Sequence, residues 1–188
     1  MTPVAEQGFR AVLLLLALIC FVSFTWAILS LFKRRGPMPL MMQLLSACGL
    51  VCTLWQLWVL SKCPLSLYWA AAGAVLYAAT LGLFWWAVPY ARSAALGLAF
   101  TGEKGKRLIA EGPYRWVRHP FYASYMLFWI SGAVAARDPL LLTALLVMSF
   151  FYVAAIRREE QELLSSDEVP GYASYRARTG CLLPRWKS

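Results

Sequence analysis

The stretch from Gly112 to Tyr122 reads Gly-Pro-Tyr-Arg-Trp-Val-Arg-His-Pro-Phe-Tyr and gathers most of the chain's candidate chemistry. It holds the one histidine of the sequence, His119, between Arg118 and Pro120, with Tyr114, Arg115 and Tyr122 close by. Proline is favoured at the first position of a helix, so Pro120 predicts a helix start immediately after the histidine. A helix start offers free N–H groups and a partial positive charge, which suit a carboxylate or a phosphate. Arg115 and Arg118 add to that preference through charge-assisted hydrogen bonds, and Arg115 also suits a headgroup anchor. A second cluster lies downstream. Glu159 and Glu160 can accept an ammonium or ribose hydroxyls, and Tyr172, Tyr175 and Arg178 follow at spacings of three, which predicts one shared helix face. A zwitterionic ligand carrying a carboxylate, an amine and a ribose would satisfy both clusters. S-adenosylmethionine fits that description, as do other ligands.

Several chemistries are not indicated. A single histidine does not make a His-rich metal site, and no metal is expected. No Ser-His-Asp arrangement, P-loop or Gly-x-Gly-x-x-Gly after a strand is present. The cysteines Cys20, Cys48, Cys52, Cys63 and Cys181 are scattered, and those on apolar runs lack histidine or carboxylate neighbours, so they read as small packing residues.

The elements that must position these clusters are apolar. Of 188 residues 61% are hydrophobic, and the mean hydropathy is +0.59. That predicts an all-α integral membrane protein forming one domain over 1–188. Spans are expected at about 9–32, 39–60, 65–90, 121–136 and 140–156. The last two form a short hairpin around Arg137-Asp138-Pro139 and are near the lower length limit for crossing. The first run is too long for a signal peptide and is followed, not preceded, by its charges, Lys33-Arg34-Arg35. Ala70, Gly73, Ala74 and Ala78 predict a small-residue stripe for close helix approach. Trp55, Trp58, Tyr68, Trp69, Trp85, Trp86 and Tyr90 are placed as interfacial aromatics. A basic connection over 91–120, with Gly97, Gly102, Gly105, Lys104, Lys106 and Arg107, leads into the histidine segment. A polar helical tail occupies 157–188.

The formal charge of +9 is distributed around the apolar runs, which indicates topology signals and anionic lipid headgroups and not nucleic acid. With the N-terminus outside and five crossings, only Arg10, Lys62 and Arg137 of the eighteen Lys and Arg residues fall on the outer side. Both polar clusters then share the cytoplasmic face. A bacterial inner membrane is the expected location.

Gly112 to Tyr122 closely resembles the Gly-Pro-Tyr…Arg-His-Pro-x-Tyr signature of the isoprenylcysteine carboxyl methyltransferase and phospholipid methyltransferase superfamily. Arg158-Glu159-Glu160-Gln161-Glu162-Leu163, Tyr172-Ala173-Ser174-Tyr175, Arg178 and Leu183-Pro184 follow in that superfamily's order. The resemblance covers roughly Gly102 to Trp186. It implies that Tyr114, Arg118, His119, Pro120 and Tyr122 line a pocket for S-adenosylmethionine. Glu159 and Glu160 would hold the cofactor's amino or ribose groups, and Tyr172 and Tyr175 would close over it. Arg178 would face the methyl acceptor, a lipophile entering from the bilayer. The chain departs from the pattern at Asp167-Glu168-Val169-Pro170-Gly171 and at Cys181, where bacterial relatives often place a second arginine. Methyl transfer is an in-line displacement, governed by positioning in a water-poor site. A carboxylate acceptor, as on a prenylated cysteine, needs only orientation, which Arg178 would supply. An amine or thiol must lose a proton, for which Glu159, Glu160 or His119 is the base. Three rivals remain: an amine or phospholipid N-methyltransferase, an NADPH-dependent sterol-type reductase with a similar Arg-His-Pro-x-Tyr segment, and a non-catalytic membrane scaffold.

Overall fold

The computed structural model describes residues 2–31, 37–94, 108–165 and 170–185. The Lys33-Arg34-Arg35 cluster, the glycines and lysines of 95–107, Asp167 to Val169 and Trp186 lie outside the described residues.

The chain is helical. Its elements are α1 (Pro3–Trp26), which continues as a π turn over Ala27–Leu31, then α2 (Leu40–Lys62), α3 (Leu67–Ala94), a 3-10 turn at Gly112–Arg115, α4 (Pro120–Ala136), α5 (Leu141–Leu164) and α6 (Tyr172–Arg178). Four of these, Pro3–Leu31, α2, α3 and α5, are long and apolar enough to cross a membrane. The expected fourth span, α4, has 17 residues and is not among them.

Helix α4 is the centre of the bundle. Eleven of its residues are buried, from Pro120 to Ala136. A helix that is hydrophobic all round is one that other helices enclose. It runs antiparallel to α3 along its whole length: the rings of Phe84 and Phe121 lie 5.3 Å apart and those of Tyr77 and Phe128 5.8 Å apart, and Arg137 lies over Trp69 at 5.9 Å. Gly73 makes the close approach. A Cβ there would fall 2.4 Å from Ala135 Cβ and 2.9 Å from its Cα. The small-residue stripe is thus real but turns differently from the expectation. Ala78 is exposed, and the buried line continues through Tyr77, Thr80 and Phe84, as a 3.6-residue period requires. Trp58, Tyr68, Trp69, Trp85 and Trp86 are exposed on the outer surface of the bundle.

Helix α1 begins six residues before the expected span. Thr2 caps it, accepting from the Ala5 amide, and Glu6 pairs with Arg10 at 2.8 Å. Arg10 also donates to the carbonyls of Leu60 at 2.6 Å and Cys63 at 2.9 Å. These carbonyls end α2 and lack partners within the helix, so the one charge inside the first apolar run fastens α1 to the α2–α3 turn. Arg10, Lys62 and Arg137 therefore gather at one end of the bundle, and His119 lies at the other.

Helix α5 corrects a boundary. The expected span ended at Ile156, with Glu159 and Glu160 opening a tail. Instead the helix runs on to Leu164, aided by strong helix formers and an Arg158–Glu162 pair at 2.8 Å. Both glutamates therefore sit on α5 itself and not on a separate helical tail.

Candidate active site

Three segments meet at the end of the bundle opposite Arg10. The 3-10 turn at Gly112–Arg115 brings the chain to α4. Gly112 has φ +56°, and a Cβ there would fall 2.4 Å from the Tyr90 ring, so conformation and space both call for glycine. Residues 117–119 then lie beside 180–181. Val117 and Gly180 form a parallel bridge, the Arg118 amide donates to the Gly180 carbonyl at 2.8 Å, and the His119 amide donates to the Cys181 carbonyl at 3.1 Å. Gly180 is packed so closely that a Cβ would meet the Leu183 carbonyl oxygen. The tail is thereby stitched to the histidine segment, and α6 docks alongside. Tyr175 donates to the Tyr114 carbonyl at 2.7 Å, and Tyr172 and Tyr175 form a small core with Leu108 and Leu163.

Glu160 is the hub. Its Oε1 accepts from Arg118 Nε at 2.8 Å and lies 3.2 Å from His119 Nε2, while its Oε2 accepts from Arg176 Nε at 2.9 Å. The side chains of Arg118 and Glu160 are only 10% and 9% exposed, so this ion pair is largely withdrawn from solvent. Arg118 Nη1 also donates to the carbonyls of Arg176 and Thr179. Burial alone would lower the Arg118 pKa, but the hydrogen bond and charge of Glu160 outweigh it and raise the value. Glu159 stands on the next position of α5. It accepts from the Tyr122 hydroxyl at 2.6 Å, and its other oxygen lies 3.7 Å from His119 Nδ1. With 32% of its side chain exposed, it is the more open of the two carboxylates. Behind Tyr122, an aromatic wall reaches into the bundle: the rings of Tyr122, Tyr125 and Tyr152 lie 5.7–6.1 Å apart, and Trp129 donates to the Tyr152 hydroxyl at 3.2 Å.

The fold thus brings together Tyr114, Arg118, His119, Pro120, Tyr122, Glu159, Glu160, Tyr172 and Tyr175. It does not bring Arg178, which is exposed and donates to the Ser174 carbonyl of its own helix at 3.2 Å. A spacing of three falls short of a turn by about 60° at each step, so by Arg178 the direction has left the buried face. Arg176, four residues after Tyr172, is nearer that face and reaches Glu160. The 3.6-residue period carried that signal. Nothing in the sequence marks Arg185 as a site neighbour, and Cys181 stands out there only as a departure from the superfamily's pattern. Arg118, Arg176 and Arg185, with Leu164, Ala173 and Ala177, line a cavity of about 390 Å³. His119, Glu160 and Cys181 each bring one ligand-type atom to within 4.8 Å of the others. Burial, and secondarily Glu160, push the Cys181 thiol pKa up, and burial pushes the Tyr175 phenol up to about 12. The Tyr172 hydroxyl is buried and has no hydrogen-bond partner among the described residues.

Comparison with known proteins agrees with the region that carries this site. The chain is 36% identical over 107 residues to the cobalt-zinc-cadmium resistance protein CzcN of Cupriavidus metallidurans, a match covering 57% of this chain and 44% of that protein. The chain therefore spans less than half the length of that relative. Residues 72–165 match the isoprenylcysteine carboxyl methyltransferase family, a stretch that takes in α3 from Ala72, the histidine segment, α4 and the glutamate pair on α5, and ends before α6. A multi-pass bundle of apolar helices, with Arg-His-Pro at one end facing two adjacent glutamates, belongs to the isoprenylcysteine carboxyl methyltransferase family, a family of membrane methyltransferases.

Proposed function

We propose that the chain transfers a methyl group from S-adenosylmethionine to a lipophilic acceptor at the cytoplasmic face of a bacterial inner membrane. The acceptor would be the carboxylate of a prenylated cysteine or a similar small lipophile. The observation that carries this reading is the cluster around Glu160, together with the unpartnered Tyr172 hydroxyl beside it. A buried hydroxyl without a partner costs roughly 1–3 kcal/mol. Tyr172 is only 4% exposed, and its hydroxyl, which has no partner among the described residues, is available to a polar group of a ligand.

The donor set fits the cofactor. Glu159, the more open carboxylate, suits an ammonium or ribose hydroxyls, while the arginine-lined cavity suits a carboxylate. Glu160 is already engaged by two guanidiniums and by His119, so its role is to hold Arg118, His119 and the tail in place. S-adenosylmethionine, when bound, supplies an electrophilic methyl on a sulfonium. The chain's own part is positioning and exclusion of water. Tyr122 orients Glu159, and Tyr125, Tyr152 and Trp129 pack behind it as a buried aromatic wall that keeps water out. Arg178, which would face the acceptor by the family resemblance, does not line that cavity and donates to the Ser174 carbonyl of its own helix. For a carboxylate acceptor no base is needed. For an amine or thiol, Glu159 is the base within reach. The N-terminus lies outside in this reading, which the positive-inside charge distribution supports.

Calorimetric titration of the detergent-purified chain with S-adenosylhomocysteine tests the reading, with NADPH as the control ligand. Wild-type protein binds the nucleoside and not NADPH. His119→Ala weakens binding about tenfold or more, as expected for one lost polar contact of ~1.4 kcal/mol. Binding of NADPH instead would establish the reductase, and binding of neither would leave the scaffold.

A further inference from the structure

We propose that His119, Glu160 and Cys181 form a binding site for a thiophilic divalent cation of the zinc, cobalt or cadmium type. The three side chains come from three separate segments, and their ligand-type atoms all lie within 4.8 Å of one another. A tetrahedral zinc ion at its usual bond lengths holds its ligand atoms about 3.3–3.8 Å apart, so small side-chain movements close the site. Two of the ligands are fixed relative to each other by the backbone. The His119 amide donates to the Cys181 carbonyl at 3.1 Å, and the Arg118 amide donates to Gly180 at 2.8 Å. The third stands on α5.

The surroundings are those of a metal site. His119 turns Nε2 toward Glu160 and Nδ1 toward Glu159, at 3.2 and 3.7 Å. A carboxylate behind the second ring nitrogen is the usual device for orienting a ligating histidine. Glu160 accepts from two guanidiniums, and a carboxylate offers about four lone-pair positions, so the side facing His119 Nε2 can be shared with an ion that His119 also ligates. The thiol proton leaves to solvent on binding. Sulfur and imidazole select borderline-soft ions over magnesium or calcium. Three protein ligands leave a fourth position for water.

The consequence for function rests on the methyltransferase reading. An ion here draws His119 and Glu160 out of the cofactor cluster, so metal and S-adenosylmethionine exclude one another and the enzyme is shut off by metal. The site itself does not depend on that reading.

Cobalt(II) titration of the detergent-purified full chain tests the site. Wild-type protein is expected to develop a thiolate-to-cobalt charge-transfer band in the near ultraviolet that saturates and that Zn2+ abolishes while Mg2+ does not. Cys181→Ser removes the band. The Cys48→Ser/Cys52→Ser double variant keeps it. Absence of the band in wild type, or its persistence in Cys181→Ser, overturns the site. A second arm measures S-adenosylhomocysteine binding with and without Zn2+. Zinc weakens it about tenfold or more in wild type and leaves Cys181→Ser unaffected. Undiminished nucleoside binding in the presence of a saturated band overturns the exclusion. A band without nucleoside binding to either protein overturns the methyltransferase reading and leaves the metal site standing.

Discussion

Replacing Glu160 with glutamine tests whether this one carboxylate locks the tail onto the bundle. The amide keeps the shape but offers one acceptor and one donor, where Glu160 now accepts from Arg118, from Arg176 and in part from His119. At least one guanidinium then faces an N–H. Arg118 is the costly case because its side chain is 10% exposed, and breaking a buried pair by removing one partner costs about 3–5 kcal/mol. Arg176 is 48% exposed, so water replaces much of its contact and its share is below about 1 kcal/mol. Arg118 also keeps the carbonyls of Arg176 and Thr179, which holds the Arg118 share near the lower end. A loss of about 4 kcal/mol in tail docking corresponds to roughly a thousandfold rise in the open population. Hydrogen exchange reads it directly, because the amides of Arg118 and His119 donate to Gly180 and Cys181 only while the tail is docked. Those two amides are expected to exchange faster by about three orders of magnitude, with the α3–α4 amides unchanged. Glu162→Gln, which breaks only the exposed pair with Arg158, serves as control and is worth less than about 0.5 kcal/mol. Exchange of the two amides in Glu160→Gln within about threefold of wild type would refute the hub role.

Gly73→Ala forces a Cβ to within 2.4 Å of Ala135 Cβ and 2.9 Å of its Cα, so α4 must move from α3 at a cost of about 1–3 kcal/mol. The thermal midpoint in detergent falls by several degrees, and Ala135→Gly in the same chain recovers part of it; no change in either variant would show that the helices are looser than described. The Tyr175 phenol, pushed from 10.0 up to about 12 in the folded chain, contributes docking stability that is complete below pH 10 and is lost as pH rises through 12, because only the undocked tail ionises early. The exchange of the Arg118 amide should therefore accelerate across that window beyond the intrinsic base catalysis, and Tyr175→Phe should remove the excess.

The amino-acid sequence by itself determined the features that depend on neighbours along the chain. The apolar runs declared the helices because their length is set by the medium they must cross. Pro120 declared the start of α4 because its ring fits only a first turn. Gly112 to Tyr122 declared the candidate site because so many polar groups beside apolar spans have a high cost unless they are used. The length of α5 was misread because its apolar run stops at Ile156, whereas the hydrogen-bonded ladder continues through helix-forming charged residues to Leu164. Tertiary structure alone decided the rest. Arg10 looked like an interruption and is a clamp, since the carbonyls it satisfies are 50 and 53 residues away. Arg178 looked aligned with Tyr172 and Tyr175, but accumulated rotation gave the inward position to Arg176. Cys181 looked like a departure from the superfamily's pattern because it stands where relatives often place an arginine and has no histidine near it in sequence. It meets His119 and Glu160 through a two-residue backbone bridge between segments about sixty residues apart. Periodicity and composition report what a residue's own helix does; the partner across the bundle is chosen by packing of the whole chain.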